Sequence, residues 1–202
     1  MSDVVVVPTG TANLASVLAA LRRVGALPRL AQSGSDVSDA SHVVLPGVGS
    51  FGAAAVALDQ TGLRRALLDR LTEGRATLAI CVGMQLLAAN SEESPAISGL
   101  GVLSGTVKRF AGSVLVPQLG WNRVDPEPGL DLVQPGWAYF ANSYRLVSVP
   151  EGWAAATSEH GGVFVSALQR GEVLACQFHP ELSGSWGGEL IARWLDSTGG
   201  RV

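Results

Sequence analysis

The sequence predicts an α/β fold: a mostly parallel central sheet flanked by helices, with additional antiparallel strands in the C-terminal half. The first half alternates short β-branched runs with helical periodicity, the pattern of βαβ units. The first of them, residues 3–7, is a continuous β-branched run, as expected of a strand covered on both faces. Beyond residue 105 the segments are strand-like and are separated by Gly and Pro, with no helical pattern between them until the last ten or so residues.

In order, residues 3–7 (DVVVV) read as the first strand. Residues 13–25 read as a helix, because Leu14, Val17, Leu18, Leu21 and Val24 recur at helical spacing and Gly25 suits a C-terminal cap. Residues 27–31 and 42–47 are short strands. A second helix over 63–74 ends at Gly74, a strand follows at 76–80, and residues 84–91 open another helix. The strand-like segments of the second half are 105–110, 112–124, 137–149, 153–160, 162–171 and 172–181, and they are read as antiparallel additions. A last helix covers 188–197. No internal repeat, low-complexity stretch or linker interrupts the chain, so residues 1–202 read as one domain.

Composition narrows the function classes. Apolar residues make up 47% and charged residues 15%, against roughly 25% charge in ordinary soluble chains. Either the core is large or a partner covers part of the surface. The formal net charge is −3 with no basic cluster, which argues against a nucleic-acid partner. The N-terminal stretch lacks the basic and apolar regions of a signal peptide, and no apolar run reaches the roughly 18 residues of a membrane span. The two cysteines, Cys81 and Cys176, make no disulfide framework; the expected compartment is the reducing cytoplasm.

Cys81 stands at the corner between the strand 76–80 and the helix opening after it. A side chain on such a turn is held clear of the sheet, beside unpaired backbone N–H groups that favour a thiolate. Small neighbours suit the cramped backbone, and Ala79 and Gly83 provide them; the layout matches a nucleophile elbow with Cys in place of Ser. A buried space-filling cysteine is the competing reading. Cys176 alternates with Leu174 and Phe178 and reads as core. Near the C-terminus, Pro180 keeps His179 extended, so that Glu181, two residues on, shares its side of the chain. Glu181 can then orient the ring and leave its other nitrogen to take a proton from a thiol. Of the three histidines, His42 precedes a buried strand, His160 sits in a turn, and only His179 has a carboxylate in register. Cys81, His179 and Glu181 are possible metal-ligand types, but paired Cys/His spacing is lacking; no metal and no cofactor are expected.

Taken together, AICVGMQ (79–85) and FHPE (178–181) resemble the class I, triad-type glutamine amidotransferases, whose fold is flavodoxin-like. Within that class, GTANL (10–14), LPGVGSFG (45–52), SEES (91–94), PQLGWN (117–122) and FANSY (140–144) resemble the glutaminase subunits of imidazole glycerol phosphate synthase, from residue 3 to about 195. The resemblance implies a catalytic triad of Cys81, His179 and Glu181. It implies oxyanion donors at Val82 and at Val48 or Gly49, and glutamine-binding positions at Gly47, Gly49, Gln85, Ser143 and Tyr144. It also implies docking on a (βα)8-barrel cyclase that receives the ammonia, with Asn13, Trp121 and Asn122 at or near the shared face. Trp121 as a core aromatic stays open at this point, as does LPGVG as an ordinary turn.

Several positions depart from the family pattern. Pro8 replaces an Asp, Ala79 the first glycine of the elbow, Gln118 and Leu119 a His-Met pair, Ala141 and Asn142 a Val-His pair, and Leu182 a basic residue. These changes imply retuned docking contacts with at least one intersubunit ion pair lost. The alternative readings are a glutaminase serving another synthase and a non-catalytic docking module. The PGVGSFG and GWN motifs oppose the first, and retention of Cys81, His179, Glu181 and Gln85 opposes the second.

Overall fold

The computed structural model describes residues 2–10 and 13–197. Thr11 and Ala12 of the 10–14 motif lie outside the described residues. In chain order the elements are β1 (Asp3–Val6), α1 (Leu14–Arg23), β2 (Leu27–Leu30), α2 (Gly34–Asp39), β3 (His42–Leu45), α3 (Phe51–Thr61), α4 (Arg64–Thr72), β4 (Thr77–Ile80) and α5 (Val82–Gln85). There follow β5 (Ala88–Ser91), β6 (Leu103–Arg109), β7 (Gln118–Pro126), β8 (Gly136–Asn142), β9 (Tyr144–Arg145), β10 (Ala154–Glu159), β11 (Val163–Arg170) and β12 (Val173–Cys176). A 3-10 turn (Pro180–Leu182) and α6 (Gly184–Asp196) close the described chain.

A nine-stranded sheet runs β2-β1-β3-β4-β12-β11-β10-β7-β8, and a three-stranded sheet runs β5-β6-β9. The strands from β2 through β12 are mutually parallel, and β11, β10, β7 and β8 continue antiparallel. The expected α/β class is therefore what the chain adopts. Val4 and Val6 belong to one apolar cluster with Val17 and Leu21 of α1 and Leu190 and Trp194 of α6. Val5 and Val7 belong to the other, with Val37 of α2 and Leu67 and Leu71 of α4. Helices on both faces explain why residues 4–7 are apolar at every position.

Two expectations are corrected. Residues 84–91 do not open a long helix: α5 is a single turn of four residues, and the chain re-enters as strand β5. Gly99 shows why, since the backbone of 86–88 is tied across to it and its neighbours by Leu100 N–H to Leu86 O and Gly101 N–H to Ala88 O, at 2.7 and 3.4 Å. Nor is the whole 172–181 segment an antiparallel addition. β12 pairs antiparallel with β11 but parallel with β4, with Cys176 opposite Ile80. That pairing decides the site, because it brings the C-terminal ends of β3, β4 and β12 to one edge of the sheet. Crevices at the carboxyl ends of parallel strands are where such sheets bind ligands.

Candidate active site

Three consecutive strand ends build the site. The loop after β3 carries Pro46–Gly49, the corner after β4 carries Cys81, and the segment after β12 carries Gln177 to Glu181. Cys81 has φ 53° and ψ −109°, and among the described residues it alone has positive φ without being glycine. Such backbone strain persists only where surroundings enforce it. Here the Cys81 N–H donates to Cys176 O at 2.7 Å, which pins the corner to the neighbouring strand. The turn is also closely packed. A Cβ on Gly83 would lie 2.0 Å from Leu45 O, and one on Gly47 would lie 2.7 Å from Gly83 N. Gly83→Ala is therefore expected to destabilise the chain by about 3 kcal/mol or more, the upper range of overpacking costs, and to lower its urea midpoint accordingly. Ala79 lies in β4 and is fully buried, so the departure from glycine there is accommodated.

His179 Nδ1 hydrogen-bonds Glu181 Oε1 at 2.8 Å, and both side chains are almost wholly buried. The expected pairing is present, though the route differs from strand alternation: His179 is extended, and the 3-10 turn starting at Pro180 swings Glu181 back beside the ring. His179 is held by its N–H to Tyr139 O at 2.9 Å and by Ser183 Oγ, which donates to His179 O at 2.6 Å. Burial pulls the His179 pKa down, but hydrogen bonds to Cys81 and Glu181, and the charges on both, outweigh it and raise the pKa to about 10. The ring thus faces Glu181 with one nitrogen and the Cys81 sulfur with the other. With only one helical turn after Cys81, the imidazole rather than a helix dipole is the main electrostatic partner of the sulfur. Cys176 is buried in the core, and desolvation, then the Glu181 charge, push its thiol pKa up.

A cavity of about 90 Å³ opens on Cys81, lined also by Gly49, Val82, Gln85, Glu93 and residues 141–144. It is far below the roughly 300 Å³ of the smallest drug-sized pockets, a size for an amino-acid side chain. Gly49, Gln85, Ser143 and Tyr144 line it, whereas Gly47 is buried beneath the elbow. Gln85 Nε2 donates to Tyr144 O at 3.1 Å and to Gln177 Oε1 at 3.0 Å. The Val82 N–H donates to Gly47 O at 3.3 Å, so this backbone donor is engaged by the loop after β3. Gly49 has φ 85°, a conformation that glycine adopts at little cost and that aims the loop toward the cavity.

Two residues escaped the sequence reading. Gln177, fully buried, brings its Nε2 to 3.7 Å from Cys81 Sγ. Its place directly after Cys176 was a usable signal once β12 is paired with β4. Glu93, quoted only as part of SEES, lines the cavity and accepts the Phe51 N–H at 2.6 Å. Asn13, Trp121 and Asn122 lie outside this cavity. Asn13 Oδ1 caps α1 by accepting the Ser16 N–H, Asn122 Nδ2 donates to Glu159 O at 2.8 Å, and Trp121 is 57% exposed, not core. No group of His, Cys, Asp and Glu suited to a metal ion is present among the described residues, and none of the described helices is long and apolar enough to cross a membrane.

A strained thiol at a strand end, faced by a carboxylate-oriented imidazole, is the chemistry of acyl transfer through cysteine. The family model for glutamine amidotransferase class-I matches residues 11–195, and the chain belongs to that family. Among solved structures, a glutamine amidotransferase crystal structure superposes with a TM-score of 0.77 at 22% identity, covering 96% of this chain and 98% of that one. PurLQS from Thermotoga maritima gives a TM-score of 0.74 at 18% identity, over 97% and 99% of the two chains; both likenesses concern the fold. Sequence relatives are more specific. The imidazole glycerol phosphate synthase subunit HisH of Symbiobacterium thermophilum is 39% identical, covering 96% of this chain and 93% of the relative. The Xylella fastidiosa HisH subunit is 41% identical, over 97% and 98% of the two chains. In Arabidopsis thaliana the chloroplastic synthase hisHF is 39% identical over 96% of this chain, which spans 34% of that longer protein. Within the class, the chain belongs to the HisH subunits.

Proposed function

We propose that this chain is the glutaminase subunit of an imidazole glycerol phosphate synthase of histidine biosynthesis, with Cys81, His179 and Glu181 as its triad. One observation carries the catalytic assignment: the buried His179 ring is hydrogen-bonded to Glu181 and lies near enough to Cys81 for the sulfur to raise its pKa. Cys81 Sγ attacks the side-chain amide carbon of L-glutamine while His179, whose pKa of about 10 keeps the ring protonated near neutral pH, holds the proton that the leaving nitrogen will take. The oxyanion is met by the Val82 N–H and a donor at Val48 or Gly49. Collapse breaks the C–N bond, and His179 gives that proton to the leaving nitrogen as ammonia departs. Water, deprotonated by His179, then cleaves the thioester to release glutamate and the thiol. Glu181 keeps the ring in the required tautomer. Gly49, Gln85, Ser143 and Tyr144 hold the substrate, Gly47 lets the loop pack under the elbow, and the Glu93 carboxylate complements the substrate's α-ammonium group.

The hydrogen bond from Val82 to Gly47 bears on regulation. While Gly47 O occupies that donor, the oxyanion is under-stabilised. A partner that favours a different arrangement of residues 46–49 raises activity by shifting the population. The isolated chain is therefore expected to hydrolyse glutamine slowly. Adding a (βα)8-barrel cyclase and its ligand is expected to raise kcat by about a hundredfold or more, the worth of one oxyanion donor. Full activity of the isolated chain in a glutaminase assay counts against this.

The partner proposed is that cyclase, in a heterodimer. It joins the ammonia to a phosphorylated ribulosyl intermediate and forms imidazole glycerol phosphate and an aminoimidazole carboxamide ribotide. Asn13, Trp121 and Asn122 are assigned to or near the docking face, and exposed Leu119 and Trp137 beside them supply apolar area. Leu182, 40% exposed, adds an apolar group where the family pattern carries a cation. The chain is read as one amidotransferase domain over residues 1–202, working in the cytoplasm. Co-purification with a cyclase, followed by labelling with an electrophilic glutamine analogue, tests the reading. Failure to label Cys81 in the complex favours a non-catalytic docking module, and stimulation by a different synthase favours another biosynthetic role.

A further inference from the structure

We propose that Gln118 and Asn142 form a two-acceptor relay that hands ammonia from the Cys81 cavity to a second, outer cavity beside Trp121. The proposal rests on the glutaminase reading and assigns a path to its product. Gln118 of β7 and Asn142 of β8 are directly opposite in an antiparallel ladder, so their side chains stand next to each other on one face of the sheet. Both are buried, with 6% and 4% of their surface exposed. Yet Gln118 Oε1 and Asn142 Oδ1 accept no hydrogen bond from any group among the described residues. One buried acceptor left unpaired costs about 1–3 kcal/mol, and two side by side call for a shared donor. Asn142 is oriented by its Nδ2, which donates to Tyr144 O at 3.0 Å, so its oxygen is the free end.

The two residues belong to different cavities. Asn142 lines the one that holds Cys81. Gln118 lines the outer one, about 550 Å³, together with Leu115, Leu119, Trp121, Asn122 and His160. The pair therefore bridges the place where ammonia leaves glutamine and the face assigned to the cyclase. The occupant is a small neutral donor, and NH3 has three N–H bonds to offer. Side-chain amides accept through oxygen and carry no acidic proton, so they pass NH3 on without converting it to ammonium. Water is the other donor small enough, and the experiment separates the two.

The test uses the complex with the cyclase and measures glutamate released against ammonia incorporated into product. The native complex is expected to run near parity. Gln118→Met keeps the length and removes the acceptor; glutamate release continues while the ratio rises about threefold to tenfold, the scale of one lost hydrogen bond. Gln118→Leu is the second acceptor-free variant if the methionine one does not assemble. Gln118→His, assayed at pH 8 where a histidine of ordinary pKa is neutral and accepts through one ring nitrogen, restores near-parity. Turnover of the cyclase on added ammonium salt stays unchanged throughout. Parity retained in the acceptor-free variants overturns the relay and assigns the two oxygens to bound water. Equal leakage from the acceptor-free and histidine variants also overturns it, because packing rather than hydrogen bonding then controls transfer. A native complex that hydrolyses no glutamine overturns the glutaminase reading with it, a result distinct from the other two.

Discussion

Replacing Cys81 with alanine is expected to abolish glutamine hydrolysis, by about a millionfold in kcat, the scale seen when one member of a nucleophile–base unit is removed. The fold is expected to survive, because alanine keeps the Cβ and the corner is held by the Cys81 N–H bond to Cys176 O, which the side chain does not make. A second readout separates catalysis from structure. The His179 pKa stands at about 10 against burial, raised by hydrogen bonds and charge from Cys81 and Glu181. Cys81→Ala removes one of these two supports, so an imidazole titration followed by NMR is expected to shift to lower pH. Linkage has a definite sign. The ring's folded pKa lies above its unfolded value near 6.5, so its contribution to stability is whole below that pH and is lost as pH rises through about 10. In Cys81→Ala the loss is expected to begin at the same unfolded-state value but to be smaller and to end at lower pH, seen as a narrowed pH dependence of the urea midpoint. An unmoved titration, or residual turnover near the native rate, assigns the thiol to packing alone.

Much of this site was legible before any coordinates. The strand-corner thiol with its small neighbours, and the His-Pro-Glu segment, each carry a local signal that comes from backbone geometry: a cramped turn needs glycine, and proline keeps its predecessor extended. What joined them is not local. Cys81 and His179 meet because β12 pairs parallel with β4, and nothing in residues 173–176 distinguishes that pairing from the antiparallel one it also makes with β11. Gln177 was missed for the same reason, since its contact with the sulfur exists only across that ladder. Helix α2 was missed because its GSDVSD sequence has a single buried apolar residue, Val37, and no periodicity. Its stability at the N-terminus comes from a reciprocal capping box between Ser33 and Asp36. Helix α3 hides in a run of alanines, where small side chains blur the apolar stripe that periodicity detects. The engagement of Val82 by Gly47 left no trace at all, because a backbone hydrogen bond between two loops has no residue signature.

Arg70→Met is expected to give the largest loss of stability away from the site, about 4 kcal/mol, with glutaminase chemistry impaired only through unfolding. Arg70 is 1% exposed, and among the described residues no carboxylate hydrogen-bonds it. Instead its guanidinium donates to Val37 O at 3.2 Å, Ala40 O at 2.7 Å, Ser41 O at 2.8 Å, and Ala76 O at 3.3 Å from Nε and 2.8 Å from Nη2. Desolvation, then the Arg75 charge, lower its pKa to about 10, which leaves it charged at neutral pH. The side chain thus ties the end of α4 to the turn between α2 and β3 and to the start of β4; Ala76 O also accepts the Val43 N–H and Ala40 O also accepts from Arg75 Nη2, so Val37 O and Ser41 O depend on Arg70 most. Methionine fills similar volume but donates nothing, so Val37 O and Ser41 O lose this donor together while Ala40 O and Ala76 O keep one other each, and each unpaired group costs about 1–3 kcal/mol where water cannot reach it. Relaxation of the turn recovers part of that sum, which sets the expected total near the 3–5 kcal/mol of other broken buried charge contacts. For a chain of this size the shift in Tm is about 10 °C. Arg70→Lys is expected to recover less than half, because an ammonium cannot span the fork that reaches both sides of the turn. Equilibrium urea unfolding of the three proteins decides it: a loss under about 1 kcal/mol for the methionine variant shows that the carbonyls find other donors and that Arg70 is packing rather than a clasp.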